Sequence, residues 1–203
     1  MKRRPVKFIA AAAAAALSII CAGAWIVREN ATRDEPNRKF SAEFFGTFDT
    51  VVTFTAFAAG EAEFERFLGA ARGEMERMSR LFDIYNDYDG VVNVKTINDA
   101  AGTKPLKADG DILELLLLAK KAHGETGGAL NAALGPVLAI WHDYRSRAAS
   151  EDVEPPPEEE LRKAANHTSM DDVIIDEESG TVLLRYPDMR LDVGAIAKGY
   201  AAQ

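Results

Sequence analysis

The stretch Leu191-Asp192-Val193-Gly194-Ala195-Ile196-Ala197-Lys198-Gly199-Tyr200-Ala201 changes its backbone preference halfway along. The first three residues read as a short apolar strand carrying one carboxylate, Asp192. Gly194 breaks the run, and helix-forming residues follow it. A strand that turns directly into a helix commits the chain to a mixed α and β architecture. The junction should leave the first N–H groups of the helix without internal partners and pointing outward. That makes it a natural place to hold a phosphate or a metal-bound phosphate.

The segments upstream supply the rest of such a fold. Residues 50–57 are β-branched and aromatic with partial alternation, which predicts a strand, and Phe44-Phe45-Gly46-Thr47 stands at its entrance. Residues 60–82 predict an amphipathic helix, with Phe64, Phe67, Leu68, Ala71, Met75, Met78 and Phe82 at helical spacing. Leu81-Phe82-Asp83-Ile84-Tyr85-Asn86 then leaves that helix for a loop containing Asp87, Asp89 and Gly90. Residues 94–98 are a short apolar–polar segment running into a turn cluster at 98–102. A helix begins near Asp109 or Asp111, either able to cap it, and its apolar face is Ile112, Leu115, Leu116, Ala119 and Ala122. It stops near Gly124. The glycine- and alanine-rich run 127–135 lets a flat ligand or a second backbone approach closely, and Pro136 suits the first turn of the next helix. His142 lies on that helix and reads as a solvated or satisfied histidine rather than a catalytic one. Residues 145–160 form a charged surface excursion with three prolines, and a short helix is expected over 157–165. Residues 173–175 and 181–186 predict a β-hairpin.

The N-terminus reads as an address. Lys2, Arg3, Arg4 and Lys7 precede an apolar run of about 20 residues, long for a secretory signal and just enough to cross a bilayer. Residues 1–29 are therefore expected to be a signal peptide or membrane anchor, with the rest outside the cytoplasm. Cys21 is a possible lipidation site, although Ser18-Ile19-Ile20 before it suit processing poorly. Residues 30–40 read as a linker and 41–203 as the folded domain.

Composition excludes several chemistries. A net charge of -8 argues against nucleic acid as a partner. One cysteine leaves no disulfide framework, and three widely spaced histidines leave no zinc pattern. There is no G-x-S-x-G, Walker A loop or G-x-G-x-x-G. The polar candidates are Thr47, Asn98, Asn131, Asp192 and Lys198, and the candidates for a flat ligand are Phe82, Tyr85 and the 127–135 loop.

Taken together and in order, five stretches resemble the ApbE family, the FAD:protein FMN transferases. They are Phe45-Gly46-Thr47; Leu81-Phe82-Asp83-Ile84-Tyr85-Asn86; Ile97-Asn98; Gly127-Gly128-Ala129-Leu130-Asn131 with Gly135-Pro136 and Trp141; and the 191–201 stretch. The resemblance implies an α+β, ApbE-like (T-fold-like) flavin transferase domain after an N-terminal membrane segment. It implies a protein on the extracytoplasmic face of the cell membrane that takes FAD as substrate, with Mg²⁺. FMN would pass to a Thr or Ser hydroxyl of an acceptor flavoprotein, a subunit of a membrane redox complex, and AMP would leave. An extracytoplasmic FAD-binding lipoprotein, or an FAD pyrophosphatase without acceptor transfer, is the alternative; a scaffold domain is the plainest one.

By position, the resemblance assigns FAD contacts to Phe45, Tyr85, Ala129, Leu130, Asn131, Asp192 and Lys198, and a backbone carbonyl ligand for Mg²⁺ to Ala195. The family has aspartate and threonine where this chain has Asn131 and Ala133. Family members continue past the Lys-Gly-Tyr motif. The domain is therefore expected to be incomplete at its C-terminus, with the catalytic residues and remaining metal ligands beyond Gln203.

Overall fold

The computed structural model describes residues 37–203. The signal or anchor at 1–29, Cys21 and most of the 30–40 linker lie outside them. Among the described residues no helix is long and apolar enough to cross a membrane. The described residues divide into two compact units, 37–42 with Phe54–Leu68, and Glu43–Thr53 with Gly69–Gln203.

Strands β1 (Arg38–Thr47) and β2 (Thr50–Ala58) form a two-stranded sheet. The strand expected at 50–57 is present. β1 begins at Arg38 and is far longer than the strand entrance foreseen at Gly46-Thr47. Phe48 and Asp49 make the turn, both left-handed (φ 52° and 50°), the sign pattern of a type I′ hairpin turn. Helix α1 spans Glu61–Leu81. Glu63 Oε2 accepts the Ala59 N–H (2.8 Å) just ahead of the helix, as a residue in the first turn of a capping box does. In the first unit Phe64 is buried, with its ring centroid 5.3 Å from Phe40 and 5.9 Å from Phe54. Phe67 does not join the apolar stripe; it lies on the exposed side of α1.

In the second unit, α2 (Val94–Asp99) is a helix where the sequence suggested an apolar–polar segment entering a turn. Asn93 caps it reciprocally with Thr96: Asn93 Oδ1 accepts the Thr96 N–H (2.9 Å), and Thr96 Oγ1 accepts the Asn93 N–H (3.3 Å). After the short strand β3 (Leu106–Lys107), α3 (Gly110–Glu125) starts where expected, with Asp109 Oδ1 accepting the Asp111 N–H at 3.0 Å. α4 (Gly135–Ala148) carries Pro136 in its first turn and α5 spans Glu158–Ala164. Strands β4 (Val173–Asp176) and β5 (Thr181–Leu184) form the expected hairpin, and β3 adds to β5, giving the antiparallel order β3-β5-β4 with Leu106 opposite Val182 and Val173 opposite Leu184. α6 (Gly194–Ala201) ends the chain's regular structure.

The core joins this sheet to the helices. Ile112, Leu115, Leu116 and Ala119 of α3 pack with Val94 and Ile97 of α2, Val173, Val182 and Leu184 of the sheet, and Leu191, Val193 and Ala197 at the chain's end. The fold is mixed α+β, as the sequence implied.

The expected strand at Leu191–Val193 is absent. These residues run between elements without a strand neighbour. Their backbone groups are satisfied otherwise. Asn98 Nδ2 donates to the Leu191 carbonyl (3.0 Å), and Asn98 Oδ1 accepts the Leu191 N–H (2.7 Å). The Asp192 N–H donates to the Ala132 carbonyl at 2.8 Å. One buried side-chain amide thus takes the place of a neighbouring strand, which explains why a buried apolar stretch can exist there without a ladder.

Candidate active site

Three segments of the second unit meet at an open cleft of about 320 Å³. The β1–β2 turn supplies Gly46, Phe48 and Asp49. The exit of α1 supplies Ser79, Phe82, Asp83 and Tyr85. The turn into α6 supplies Asp192, Val193, Gly194, Ala197 and Lys198, and His142 reaches in from α4.

Each wall is held by local chemistry. The Phe48 N–H donates to Ser79 Oγ (3.0 Å), and the Phe48 ring packs on Phe82 with centroids 6.4 Å apart. Asp83 organises the loop that presents Tyr85. Its Oδ1 accepts the N–H groups of Tyr85 (2.7 Å) and Asn86 (3.1 Å), and its Oδ2 accepts from Asn86 Nδ2 (2.9 Å) and Tyr88 Oη (2.7 Å). Burial pushes the Asp83 carboxyl upward, but these four donors outweigh it and hold it below the usual carboxylate range. Tyr85 is left 59% exposed at the cleft. Its phenol is pushed up, first by burial of its hydroxyl end and then by the charge of Asp192. A second cavity, of about 280 Å³, shares Ile84, Tyr85, His142 and Asp192 with the cleft.

The turn into α6 is only in part the open anion cradle that its sequence suggested. Asp192 Oδ1 accepts the Gly194 N–H at 2.9 Å, and the Ile196 and Ala197 N–H groups both donate to the Val193 carbonyl. The Ala197 bond is the first ordinary bond of the helix, so two of the four leading N–H groups, those of Gly194 and Ile196, are already used, and the turn adds the Asp192 carboxylate beside the others. Asp192 Oδ2 lies 3.8 Å from His142 Nε2.

Of the residues singled out from sequence, Tyr85, Asp192 and Lys198 line the cleft together, with Phe82 and Gly46 beside them. The others stand elsewhere. Phe45 is on β1 and 71% exposed, and Thr47 is buried at the end of that strand. Asn98 serves Leu191. Ala129 is exposed in a loop that His123 and Thr126 pin: His123 Nδ1 donates to the Leu130 carbonyl (2.8 Å), and Thr126 Oγ1 accepts the Leu130 N–H (3.0 Å). Asn131 is committed at both ends, accepting the Ala133 N–H (2.9 Å) and donating to the Thr168 carbonyl (2.8 Å). Ala195 is exposed on the first turn of α6.

His142 is the satisfied histidine of the sequence reading, half-buried with Nδ1 against Arg145, and it also lines the cleft. Its acid partner is Asp192, 50 positions away and therefore invisible in the neighbouring sequence. Asp49 was missed too. Two β-rich runs separated by two residues do signal a hairpin, but Phe48-Asp49 lacks the Asn-Gly character that marks a type I′ turn.

A metal's fit can be judged from the donors. Among the described residues no three acidic, histidine or cysteine groups cluster to hold one. The cleft nevertheless offers hard oxygens, chiefly Asp49 and Asp192, and Mg²⁺ is commonly held by one or two carboxylates with phosphate and water oxygens completing its shell. The residues fit such a shared site, not an all-protein cage.

Residues 48–203 match the model of the ApbE family. An FAD:protein FMN transferase of Klebsiella pneumoniae (strain 342) is 33% identical over 131 residues, which are 61% of this chain and 40% of that protein. An FAD:protein FMN transferase of Treponema pallidum (strain Nichols) is 33% identical over 106 residues, 52% of this chain and 29% of that one. The chain thus spans less than half the length of these curated relatives. Among solved structures, the ApbE protein from Thermotoga maritima msb8 superposes with a TM-score of 0.68 at 23% identity, over 81% of this chain and 50% of its own. The flavin transferase ApbE from Vibrio cholerae gives 0.66 at 19% identity, over 82% and 51%. These two likenesses are of fold.

Proposed function

The chain belongs to the ApbE family, and from that premise we propose that the gene product is an FAD:protein FMN transferase. The observation that carries the reading is the convergence on one cleft of Tyr85 with Asp192 and Lys198, which lie more than a hundred positions further along the chain. In the proposed reaction the pyrophosphate P–O bond of FAD breaks, and a P–O bond forms to a Thr or Ser hydroxyl of an acceptor flavoprotein. The hydroxyl proton is released and AMP leaves. Tyr85 gives a flat apolar face, Asp192 accepts from a hydroxyl or ring N–H, and Lys198 supplies positive charge.

Mg²⁺ belongs to this proposal for an electrostatic reason. A diphosphate entering a cleft lined by Asp49, Asp83 and Asp192 with Lys198 as counter-charge meets net repulsion. A divalent ion would neutralise the phosphates, and the Ala195 carbonyl is the backbone ligand assigned to it. Such transfer draws mainly on positioning and charge neutralisation. Phe45, Ala129, Leu130 and Asn131 remain proposed FAD contacts by family position. The basic, apolar N-terminus supports an anchored, extracytoplasmic enzyme acting on a subunit of a membrane redox complex.

The test is to incubate the complete gene product with FAD, Mg²⁺ and an acceptor protein, then weigh the acceptor. An FMN-sized mass gain on a Thr or Ser, with AMP released, is expected. AMP and FMN without a modified acceptor would identify an FAD pyrophosphatase instead, and no cleavage at all would overturn the transferase reading.

A further inference from the structure

His142 sits where the cleft and the second cavity meet, edge-on to Tyr85 with ring centroids 6.1 Å apart. Its Nδ1 lies 2.8 Å from Arg145 Nη2. A guanidinium can only donate, so Nδ1 must accept, and the ring proton must sit on Nε2. Arg145, one turn along α4, therefore fixes the imidazole tautomer. Nε2 lies 3.8 Å from Asp192 Oδ2, too far for a hydrogen bond between the two. Asp192 is itself oriented, because its other oxygen accepts the Gly194 N–H.

A donor and an acceptor 3.8 Å apart suit a group that both accepts and donates. A hydroxyl can accept from the first and donate to the second, each at ordinary hydrogen-bond length. A phosphate oxygen would satisfy His142 but meet the Asp192 charge, and an ammonium would satisfy Asp192 but meet the His142 N–H. We propose that His142 and Asp192 form a hydroxyl-recognition pair, with Arg145 as the positioning residue that sets the His142 tautomer. Resting on the flavin reading above, the hydroxyl is one on the ribityl chain or the adenosine ribose of the dinucleotide. A site built around a substrate hydroxyl discriminates strongly against analogues lacking it, because its own polar groups are then left unpaired.

Two measurements test this independently. Long-range proton–nitrogen spectra of the 203-residue chain report the His142 tautomer: Nε2–H is expected, with Arg145→Ala letting both tautomers appear. An Nδ1–H ring in the unaltered chain, or a tautomer unmoved by Arg145→Ala, overturns the lock. Titrations of the complete gene product with FAD, a ribityl-deoxygenated flavin dinucleotide and a 2′-deoxyadenosine analogue identify the hydroxyl. One analogue should bind about tenfold more weakly than FAD. His142→Ala should lose about the same factor with FAD and nothing further with that analogue, as coupled partners do. His142→Gln, whose amide N–H reaches near the Nε2 position, should recover most of the loss, while His142→Asn should not. Equal affinity for FAD and both analogues, additive losses, or a His142→Gln as weak as His142→Ala would overturn the pair. If the complete product binds none of the three, the flavin reading fails, the hydroxyl pair fails with it, and the nitrogen spectra still decide the Arg145 lock.

Discussion

Asn98 satisfies both backbone groups of Leu191, a residue with no exposed surface. Asn98→Ala leaves a buried N–H and a buried carbonyl unpaired, at about 1–3 kcal/mol each. A loss of roughly 2–5 kcal/mol in urea unfolding is expected on that basis, with Asn98→Asp, which keeps the acceptor, falling between. The β1–β2 turn has the opposite sensitivity. Asp49 holds a left-handed conformation that costs a non-glycine residue about 1 kcal/mol or more. Asp49→Gly should therefore raise thermal stability while removing a carboxylate from the cleft, which a shift in the Mg²⁺ dependence of FAD binding would report. Neither role was legible from neighbouring residues. Asn98 stood in what looked like a turn cluster, and its partner lies 93 positions on.

The helices and the β4–β5 hairpin were the most legible elements, since their signals are local: Asp109 before an apolar face, Pro136 at a first turn, and Gly180 after the acidic residues of a hairpin. α2 escaped because six residues show no periodicity, and its start rests on the Asn93–Thr96 exchange, in which threonine stands where a glutamate is the usual sign. The 191–193 stretch was read as a strand because burial on both sides makes a strand and a clamped loop look alike in sequence. At the same scale, the 83–88 loop depends on one acid. Asp83→Ala removes the acceptor of four hydrogen bonds and should speed amide exchange at Tyr85 and Asn86 and weaken FAD binding, with α1 still formed. Gly135 is constrained by the segment that carries Asp192: a Cβ there would come within 2.4 Å of the Arg190 carbonyl oxygen. Gly135→Ala should cost about 1–3 kcal/mol by overpacking and displace the cleft's acid along with the Arg190 backbone.

Across the second unit, the titratable groups define a window of stability. Arg77 holds the Asp111 carboxyl below its usual range, and His167, 2.6 Å from Asp188 Oδ2, does the same for Asp188. With Asp83, these depressed carboxyls contribute stability that is present above about pH 4, the unfolded carboxylate range, and is lost as pH falls through their folded values. Tyr85, Tyr88 and Tyr200 are shifted upward, so their contribution is whole below about pH 10 and is lost as pH rises through their folded values. Thermal unfolding temperature against pH should show a plateau between these limits and fall at both ends. The clamp between Asn98 and Leu191 has a consequence in time. A contact spanning 93 positions must close a long loop before it returns any energy, whereas α3 and the β4–β5 hairpin close only short ones. The acid of the cleft is thus carried by the part of the chain that settles late, and in pulse-labelled refolding the Leu191 and Asp192 amides should gain protection after those of Leu115 and Leu116.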